Sequence, residues 1–378
     1  MSVNNLKVAH FFKAALPKSI GGVEDTIATL GNNLASVEIQ TEVFATSKNQ
    51  EFSTNYRDHQ VHYFRAWFQP FSTPISLRYL IEGIKKINDF DVVYVHHPYP
   101  LGEIASLFLR RRSRLIVYYH SDVIDKPFLL LLLYKPLIHL ILRRAKYILA
   151  TSQNYCDSSA TLLKFTEKLK VIPSGVEDLS KVTKTKPDFF FDFSKPFFVF
   201  VGAFRTYKGL WDLLDSCKHF SGNVLIIGEG DKAADLRAYA EEKDIINVSF
   251  AGRLDNEQKA YCLSKAAGLV LPSNKRSEAL GISLIEGLAM GLPLVCCDLG
   301  TGTTAVNIHN ETGLIVEPNS PKQLAKAMNK ILECEKTRKC FSKNARRRYL
   351  EFFSTEQMTQ KHIALIDDLI SAQTDDIM

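Results

Sequence analysis

The stretch PFFVFVGAFRTYKG, residues 196–209, decides the fold of this chain. An unbroken apolar run at 197–201 is followed by a glycine-bearing loop and then by a helical pattern. The first half of the chain begins in the same way, with the apolar run 8–12, the pair Gly21-Gly22 and a helical pattern from 23 to 35. Continuous apolar strands that alternate with helices are typical of a parallel sheet covered on both faces. The restart of the pattern therefore predicts two such sheets in tandem.

Further apolar runs continue each half, at 43–45, 91–95, 115–119, 147–150 and 169–172, and then at 224–227, 248–250, 269–271 and 294–296. We predict an α/β protein with one domain at 1–178, a charged linker at 179–195 and a second domain at 196–353. Ser354 and Gln357 form a capping-box pattern for a last helix, 355–372, which we expect to pack back on the first domain. Doubly wound sheets bind ligands at the carboxyl ends of their strands, so the two domains are predicted to face each other across a cleft.

Composition narrows the function classes. The chain has 378 residues, 46% of them hydrophobic and 23% charged, which excludes a disordered, collagen-like or coiled-coil protein. Its net charge of +6 fits a polyanionic small ligand and an anionic membrane surface equally well. Seven cysteines show neither zinc spacing nor a disulfide framework, which indicates a reducing cytosol. Neither a signal peptide nor a transmembrane helix is predicted.

The strongest functional motif is SEALGISLIEGLAMGLP, residues 277–293. Glu278 precedes a predicted helix, and Glu286 lies about one turn inside it. Free amides at 281–283 would face an anion at the helix N-terminus, and a carboxylate one turn along suits the two hydroxyls of a ribose. The alternative is a pair of surface glutamates on an amphipathic helix. An unpaired carboxylate is costly in a helix as apolar as this one, so we favour a functional role for Glu286.

Two glycine-bearing loops follow the first strands of the two halves. Arg205 and Lys208 stand three residues apart in the second of these loops. They suit a diphosphate, because Arg binds it bidentately and Lys acts as a point charge. The alternative is a solvated loop with two ordinary surface cations. In the first half, Gly21 and Gly22 would let backbone amides approach an anion, although a glycine pair is also common in a plain turn.

His120, within YYHSD at 118–122, ends a predicted strand at the expected cleft. A histidine there is either a catalytic residue or a satisfied polar one. His96-His97-Pro98 ends the preceding strand and either touches an acceptor or only shapes the loop. Asp89 and Asp91 have the form of a metal-binding pair, but they lie at the start of a strand and offer too few oxygen ligands for a divalent ion. We predict no metal site and no cofactor.

These segments together resemble the retaining glycosyltransferases of family 4, which have the GT-B fold of two Rossmann-like domains. The similarity spans nearly the whole chain. It implies that a hexose is transferred from a nucleotide sugar with retention at the anomeric carbon. It also implies an acceptor domain at 1–178 and a donor domain at 196–353. The runs at 299–304 and 310–314 look like those of family members that build bacterial surface polysaccharides such as O-antigen or capsule.

The resemblance also implies roles for single residues. Glu286 would take the ribose hydroxyls, and Arg205 and Lys208 would take the diphosphate. Glu278 and His120 would lie beside the donor sugar, and they are the predicted catalytic residues. One departure is Ala203, which stands where many members carry an arginine. The predicted donor-binding set is Gly21, Gly22, Arg205, Lys208, Leu280, Gly281, Ile282, Ser283 and Glu286.

The stretch from 110 to 146 is both basic and apolar. Lys135, His139, Arg143 and Lys146 recur at helical spacing among leucines and isoleucines, which suits an anionic bilayer surface. The alternative is a helix packed on its sheet with its basic face in water. A second basic cluster at 338–348 is interleaved with aromatic residues, but one face of a C-terminal helix accounts for it. No nucleic-acid partner is therefore predicted.

We therefore predict a metal-independent retaining hexosyltransferase in the cytoplasm, peripheral on the inner face of the plasma membrane. Its donor would be a nucleoside diphosphate sugar, with GDP-mannose as the first choice and a UDP-hexose as the second. Its acceptor would be a hydroxyl of a lipid-linked saccharide. The alternatives are a nucleotide-sugar epimerase, which needs no acceptor, and a non-catalytic scaffold that binds sugar or membrane.

Overall fold

A computed structural model describes residues 6–70, 73–123 and 127–375 of the chain. It divides into two compact units. The first contains the chain up to Ser174 and again from Thr355 onward, and the second runs from Gly175 to Ser354.

The first unit is built on an eight-stranded sheet in the order β3-β4-β2-β1-β5-β6-β7-β8. Every pair of neighbouring strands is parallel except β3 and β4, which form an antiparallel hairpin at one edge. The strands are β1 (Lys7–Phe11), β2 (Gln40–Ser47), β3 (Phe52–Tyr56), β4 (His59–Arg65), β5 (Val92–His97), β6 (Leu115–Tyr119), β7 (Tyr147–Ala150) and β8 (Leu169–Val171). The helices are α1 (Gly22–Ala35), α2 (Leu77–Lys86), α3 (Pro100–Ser106), α4 (Phe128–Arg144) and α5 (Gln153–Ser158).

The second unit has a six-stranded parallel sheet in the order β11-β10-β9-β12-β13-β14. Its strands are β9 (Phe197–Val201), β10 (Asn223–Ile227), β11 (Val248–Gly252), β12 (Gly268–Leu271), β13 (Leu294–Cys297) and β14 (Gly313–Val316). Its helices are α6 (Leu210–Cys217), α7 (Ala233–Glu242), α8 (Asn256–Lys265), α9 (Ile282–Ala289), α10 (Thr303–Val306), α11 (Pro321–Glu333) and α12 (Glu335–Arg348). The central strands are fully buried because their unbroken Phe, Val, Leu and Ile runs meet helices on both faces.

The last helix, α13 (Thr355–Asp375), belongs to the first unit. Ile366 and Leu369 of this helix are buried in the same cluster as Tyr94 of β5 and Tyr118 of β6. Apolar contact with the sheet therefore holds α13 in place.

Two features differ from the sequence prediction. The segment 179–195, predicted to be a linker, lies within the second unit. Leu179 is buried there, and Phe191 and Phe193 pack against the core, because alternating apolar residues between the charges supply a buried side. The hairpin of β3 and β4 was not predicted, since β3 alternates at the sheet edge and β4 mixes polar residues with apolar ones, unlike the buried runs used to find the other strands.

Candidate functional site

The main candidate site lies where β9 and β12 end in the second unit. These neighbouring parallel strands are the point at which the strand order reverses, because β10 and β11 lie on one side and β13 and β14 on the other. Loops that leave the carboxyl ends of such a pair diverge and leave a crevice, where doubly wound sheets bind ligands. The loop after β9 carries Arg205 and Lys208, and the segment after β12 carries Glu278 and leads into α9.

Lys208 and Glu278 meet at this point. The Nζ of Lys208 lies 2.5 Å from Oε2 of Glu278, and both side chains are about nine-tenths buried, with 12% and 9% of their surfaces exposed. The Ser273 hydroxyl donates a hydrogen bond of 2.8 Å to the same carboxylate oxygen. Burial works against the charged form of Lys208, but Glu278, Tyr207 and Glu286 together outweigh it and raise the lysine pKa above its usual value. Lys208 therefore keeps its proton and stays a cation at the end of the two strands, while the ion pair as a whole is neutral.

Glycine backbone geometry allows this approach. Gly209 has φ of 66°, and a Cβ atom there would lie 2.0 Å from the carbonyl oxygen of Pro272. The loop after β9 can touch the end of β12 only because this position has no side chain.

Helix α9 begins four residues after Glu278, at Ile282. Gly281 precedes the helix in the left-handed conformation, with φ of 83°, and supplies no side-chain cap. Among the residues that the structure describes, the amides of Leu280, Gly281, Ile282 and Ser283 have no hydrogen-bond acceptor. The buried Ser283 hydroxyl likewise has no partner. Unsatisfied amides with the positive end of the helix dipole are suited to bind an anion.

Glu286 lies one turn into α9 and is buried. Its Oε1 is 2.5 Å from Nζ of Lys259, on α8. Sequence reasoning predicted the carboxylate but missed this lysine, which resembles any other lysine on a polar helix. The ion pair explains how an apolar helix tolerates Glu286, and it leaves Oε2 of Glu286 as an acceptor for a ligand hydroxyl.

Arg205 and the pair Gly21-Gly22 complete the predicted donor-binding set. Arg205 is more than half exposed and pairs with Asp231 at 2.8 Å, so it does not join Lys208 and Glu278. In the first unit, Gly21 caps the N-terminus of α1 and Gly22 is the first residue of that helix. A Cβ atom on Gly21 would lie 2.5 Å from Oε2 of Glu24, so the Glu24 carboxylate already occupies the N-terminal turn of α1. A phosphate at this turn requires Glu24 to move.

His120 follows β6 in the first unit and is 8% exposed. Its Nε2 lies 2.8 Å from Nδ1 of His96, whose Nε2 lies 2.8 Å from Nδ1 of His10. His97, next to His96, instead bonds the buried Glu103 carboxylate at 2.8 Å. The sequence signal for His10 was a polar residue in the otherwise apolar strand 8–12, and sequence reasoning did not use it.

Within the described ranges, no three His, Cys, Asp or Glu side chains are grouped so that they could hold a metal ion. Metal independence stays a prediction. None of the helices in the described part of the chain is long and apolar enough to cross a membrane.

The chain is similar to known glycosyltransferases along most of its length. The model for "Glycosyltransferase Family 4" matches residues 20–178, and the model for "Glycosyl transferases group 1" matches residues 182–348. The chain is 36% identical to O-antigen chain mannosyltransferase C of Escherichia coli, over 98% of this chain and 100% of that protein. It is 35% identical to D-rhamnosyltransferase WbpZ of Pseudomonas aeruginosa, over 92% of each chain.

Solved structures share the fold. Sucrose-phosphate synthase from Thermosynechococcus elongatus superposes with a TM-score of 0.77 at 21% identity, over 97% of this chain and 100% of that one. A glycosyltransferase from Rickettsia africae gives a TM-score of 0.73 at 16% identity, over 97% of this chain and 99% of that one.

Proposed function

The chain belongs to the family 4 glycosyltransferases and has their GT-B fold, as the sequence predicted, and we propose that it is a retaining hexosyltransferase of O-antigen biosynthesis. The observation that carries the proposal is the buried pair of Lys208 and Glu278 beside the unsatisfied amides that open α9. This arrangement combines a fixed cation, a hydrogen-bond acceptor and free donors at one strand switch point. A nucleoside diphosphate sugar presents the complementary groups, which are phosphate oxygens and sugar hydroxyls.

The donor is assigned to these groups as follows. Lys208 and the α9 amides bind the diphosphate, because cations and helix N-termini both favour negative charge. Glu286 accepts hydrogen bonds from the ribose hydroxyls through the oxygen that Lys259 leaves free. Glu278 accepts from a hydroxyl of the sugar. Arg205 reaches the diphosphate only after it leaves Asp231, so its share of the binding is smaller than that of Lys208.

In the proposed reaction, the bond between the anomeric carbon and the β-phosphate oxygen breaks, and its electron pair leaves with the diphosphate. Negative charge then grows beside Lys208 and the α9 amides, which stabilise it more in the transition state than in the ground state. The acceptor oxygen attacks the face from which the diphosphate leaves, and its proton passes to a diphosphate oxygen. The products are a nucleoside diphosphate and a glycoside of retained configuration. A sugar adduct trapped on a side chain would contradict this route and favour a double displacement.

We further propose a lipid-linked acceptor and contact with an anionic membrane on the cytoplasmic side. Of the predicted membrane stretch 110–146, residues 124–126 lie outside the described residues. Leu132 and Leu140 of α4 are each about half exposed, and the exposed Lys135 and Arg143 lie next to them on the helix. Exposed leucines beside cations suit the headgroup region of a bilayer, which supports the proposal.

GDP-mannose remains our first choice of donor, because one relative at 36% identity is named as a mannosyltransferase. A thermal-shift panel of GDP-mannose, UDP-glucose and ADP-glucose tests the donor. A bound sugar nucleotide at a hundredfold excess over its Kd stabilises the fold by about 2.7 kcal/mol, so one sugar nucleotide should raise the melting temperature by several degrees. Stabilisation by UDP-glucose alone would show that the donor is a UDP-hexose and not GDP-mannose. No shift with any of the three would favour a scaffold.

A further inference from the structure

A chain of three hydrogen-bonded histidines runs through the first unit and ends at His120. His10 lies on β1, His96 on β5 and His120 just after β6, which are neighbouring strands. The rings of His10 and His96 have centroids 5.1 Å apart, and those of His96 and His120 are also 5.1 Å apart with planes 6° from parallel. Strand register explains the alignment, because His10 pairs with Tyr94 and His96 pairs with Tyr118, so that the three imidazoles share one face of the sheet.

All three imidazoles are uncharged in this environment. Burial lowers the pKa of His10 and of His120 to about 3, and it lowers the pKa of His96 well below its usual value. Each neutral imidazole carries one N–H and one bare nitrogen. Each bond between two histidines therefore needs an N–H on one ring and a bare nitrogen on the other.

Only two proton arrangements satisfy both bonds. In the first, His10 donates from Nδ1 to His96, His96 donates from Nδ1 to His120, and His120 keeps its proton on Nδ1. In the second, every proton lies on Nε2, and His120 presents a bare Nδ1. His10 distinguishes the two arrangements, because its Nε2 is buried without a partner in the described structure. The second arrangement would bury an N–H without an acceptor at that position, whereas the first buries only a bare nitrogen, and among backbone groups the orphaned N–H is the rarer case.

We propose that His96 and His10 are positioning residues that fix His120 as its Nδ1–H tautomer, so that Nδ1 donates a hydrogen bond to an oxygen of the bound sugar. The Nδ1 of His120 has no partner among the described residues. It is also not fully buried, so a ligand can reach it. In this state His120 orients the sugar as a hydrogen-bond donor and is not a general base. The identity of the ligand rests on the proposed function, whereas the tautomer does not.

Substitutions at His96 separate the tautomer from simple packing. The side-chain amide of His96→Asn can still donate at the Nδ1 position toward His120, whereas His96→Leu cannot. His59→Leu is the matched control, since His59 is a buried histidine of the same unit that bonds none of the three. Circular dichroism at the working temperature verifies that each variant is folded.

Nitrogen-15 NMR of histidine-labelled protein gives the direct test, with His120 assigned by its loss in His120→Ala. We expect the wild type and His96→Asn to show the proton of His120 on Nδ1, and His96→Leu to show it redistributed to Nε2. With GDP-mannose as donor, kcat/KM should fall about tenfold in His96→Leu, because the hydrogen bond from His120 to the sugar is lost. In His96→Asn and His59→Leu it should stay within about twofold of the wild type.

The outcomes distinguish this inference from the proposed function. A proton on Nε2 of His120 in the wild type, or a His96→Leu spectrum that keeps the Nδ1–H signature, overturns the inference even if the protein transfers sugar. If the Nδ1–H signal depends on His96 but the protein binds no nucleotide sugar, the fixed tautomer is supported. The sugar is then not the ligand of His120. The wild-type spectrum decides the tautomer even if no His96 variant folds.

Discussion

Replacing Lys208 by methionine removes one charge from the most buried ion pair of the candidate site while keeping most of the side-chain volume. Glu278 then stays about nine-tenths buried, and Ser273 is the remaining donor to its Oε2. Removing one partner of a buried pair costs about 3–5 kcal/mol. Both side chains retain some contact with solvent, so we expect the lower end, about 3 kcal/mol of unfolding free energy.

The assay is urea unfolding followed by the fluorescence of Trp211, in α6 of the second unit. Trp67, in the first unit and more than half exposed, is replaced by phenylalanine in all samples so that one tryptophan reports. Lys232→Met is the matched control, because Lys232 pairs with Asp235 in the same unit but both side chains are 41% or more exposed. An exposed pair of this kind contributes at most about 1 kcal/mol. Equal costs for the two lysines would refute the reasoning.

The same variant tests catalysis. Lys208→Met should lower turnover about a hundredfold, since charge on the leaving diphosphate grows where the ammonium stood. The neutral pair made by adding Glu278→Gln should recover part of the stability and none of the turnover. Full turnover in Lys208→Met would show that the diphosphate binds elsewhere.

Three further predictions concern other parts of the molecule. Glu286→Ala should weaken nucleotide-sugar binding by about 1–3 kcal/mol in calorimetry, while Glu242→Ala, on an exposed surface, should not; equal affinities would remove Glu286 from the ribose site. Burial lowers the pKa of His10, His120 and His362 from 6.5 to about 3, so the unfolded chain binds more protons between these values. Unfolding free energy should therefore fall as the pH drops below 6.5 and level off above it, and a pH-independent urea midpoint would contradict this. Reversing Lys135 and Arg143 to glutamate should lower cosedimentation with anionic vesicles at least tenfold, because each cation contributes about 1 kcal/mol near such a surface. Reversing Lys218 and Lys232 is the control, and equal losses in the two double variants would remove α4 as the contact.

The sequence predicted the two sheets well, because buried parallel strands appear as continuous apolar runs such as 197–201 and 115–119. It missed the hairpin of β3 and β4, because β3 alternates between half-buried and exposed residues and β4 carries polar residues among its buried ones. It misjudged 179–195 because its charges are plain in the sequence, whereas the contacts of Phe191 and Phe193 depend on packing far along the chain. Continuous apolar runs thus locate most of the buried strands, whereas buried segments whose sequences mix polar and apolar residues are missed.

For the candidate site, the sequence predicted which residue types matter but not how they pair. Lys208 and Glu278 are separated by seventy positions, and their contact follows from β9 and β12 lying side by side. Arg205 looks equivalent to Lys208 in the sequence, yet the structure pairs it with Asp231 instead. The partners of Glu286 and His120 could likewise not be predicted from the sequence. Lys259 lies on a different helix from Glu286, and His96 and His10 lie on different strands from the one that His120 follows.

The most direct test of the central claim is the stereochemistry of a transferred sugar. The protein is incubated with GDP-α-mannose and octyl α-mannoside, which offers sugar hydroxyls on an apolar tail, and the one-bond carbon–hydrogen coupling at the new anomeric centre is measured by NMR. We predict an α-linked disaccharide, formed by the wild type and lost in Lys208→Met. A β-linked product would contradict retention, and mannose conversion without any acceptor-dependent product would contradict glycosyl transfer.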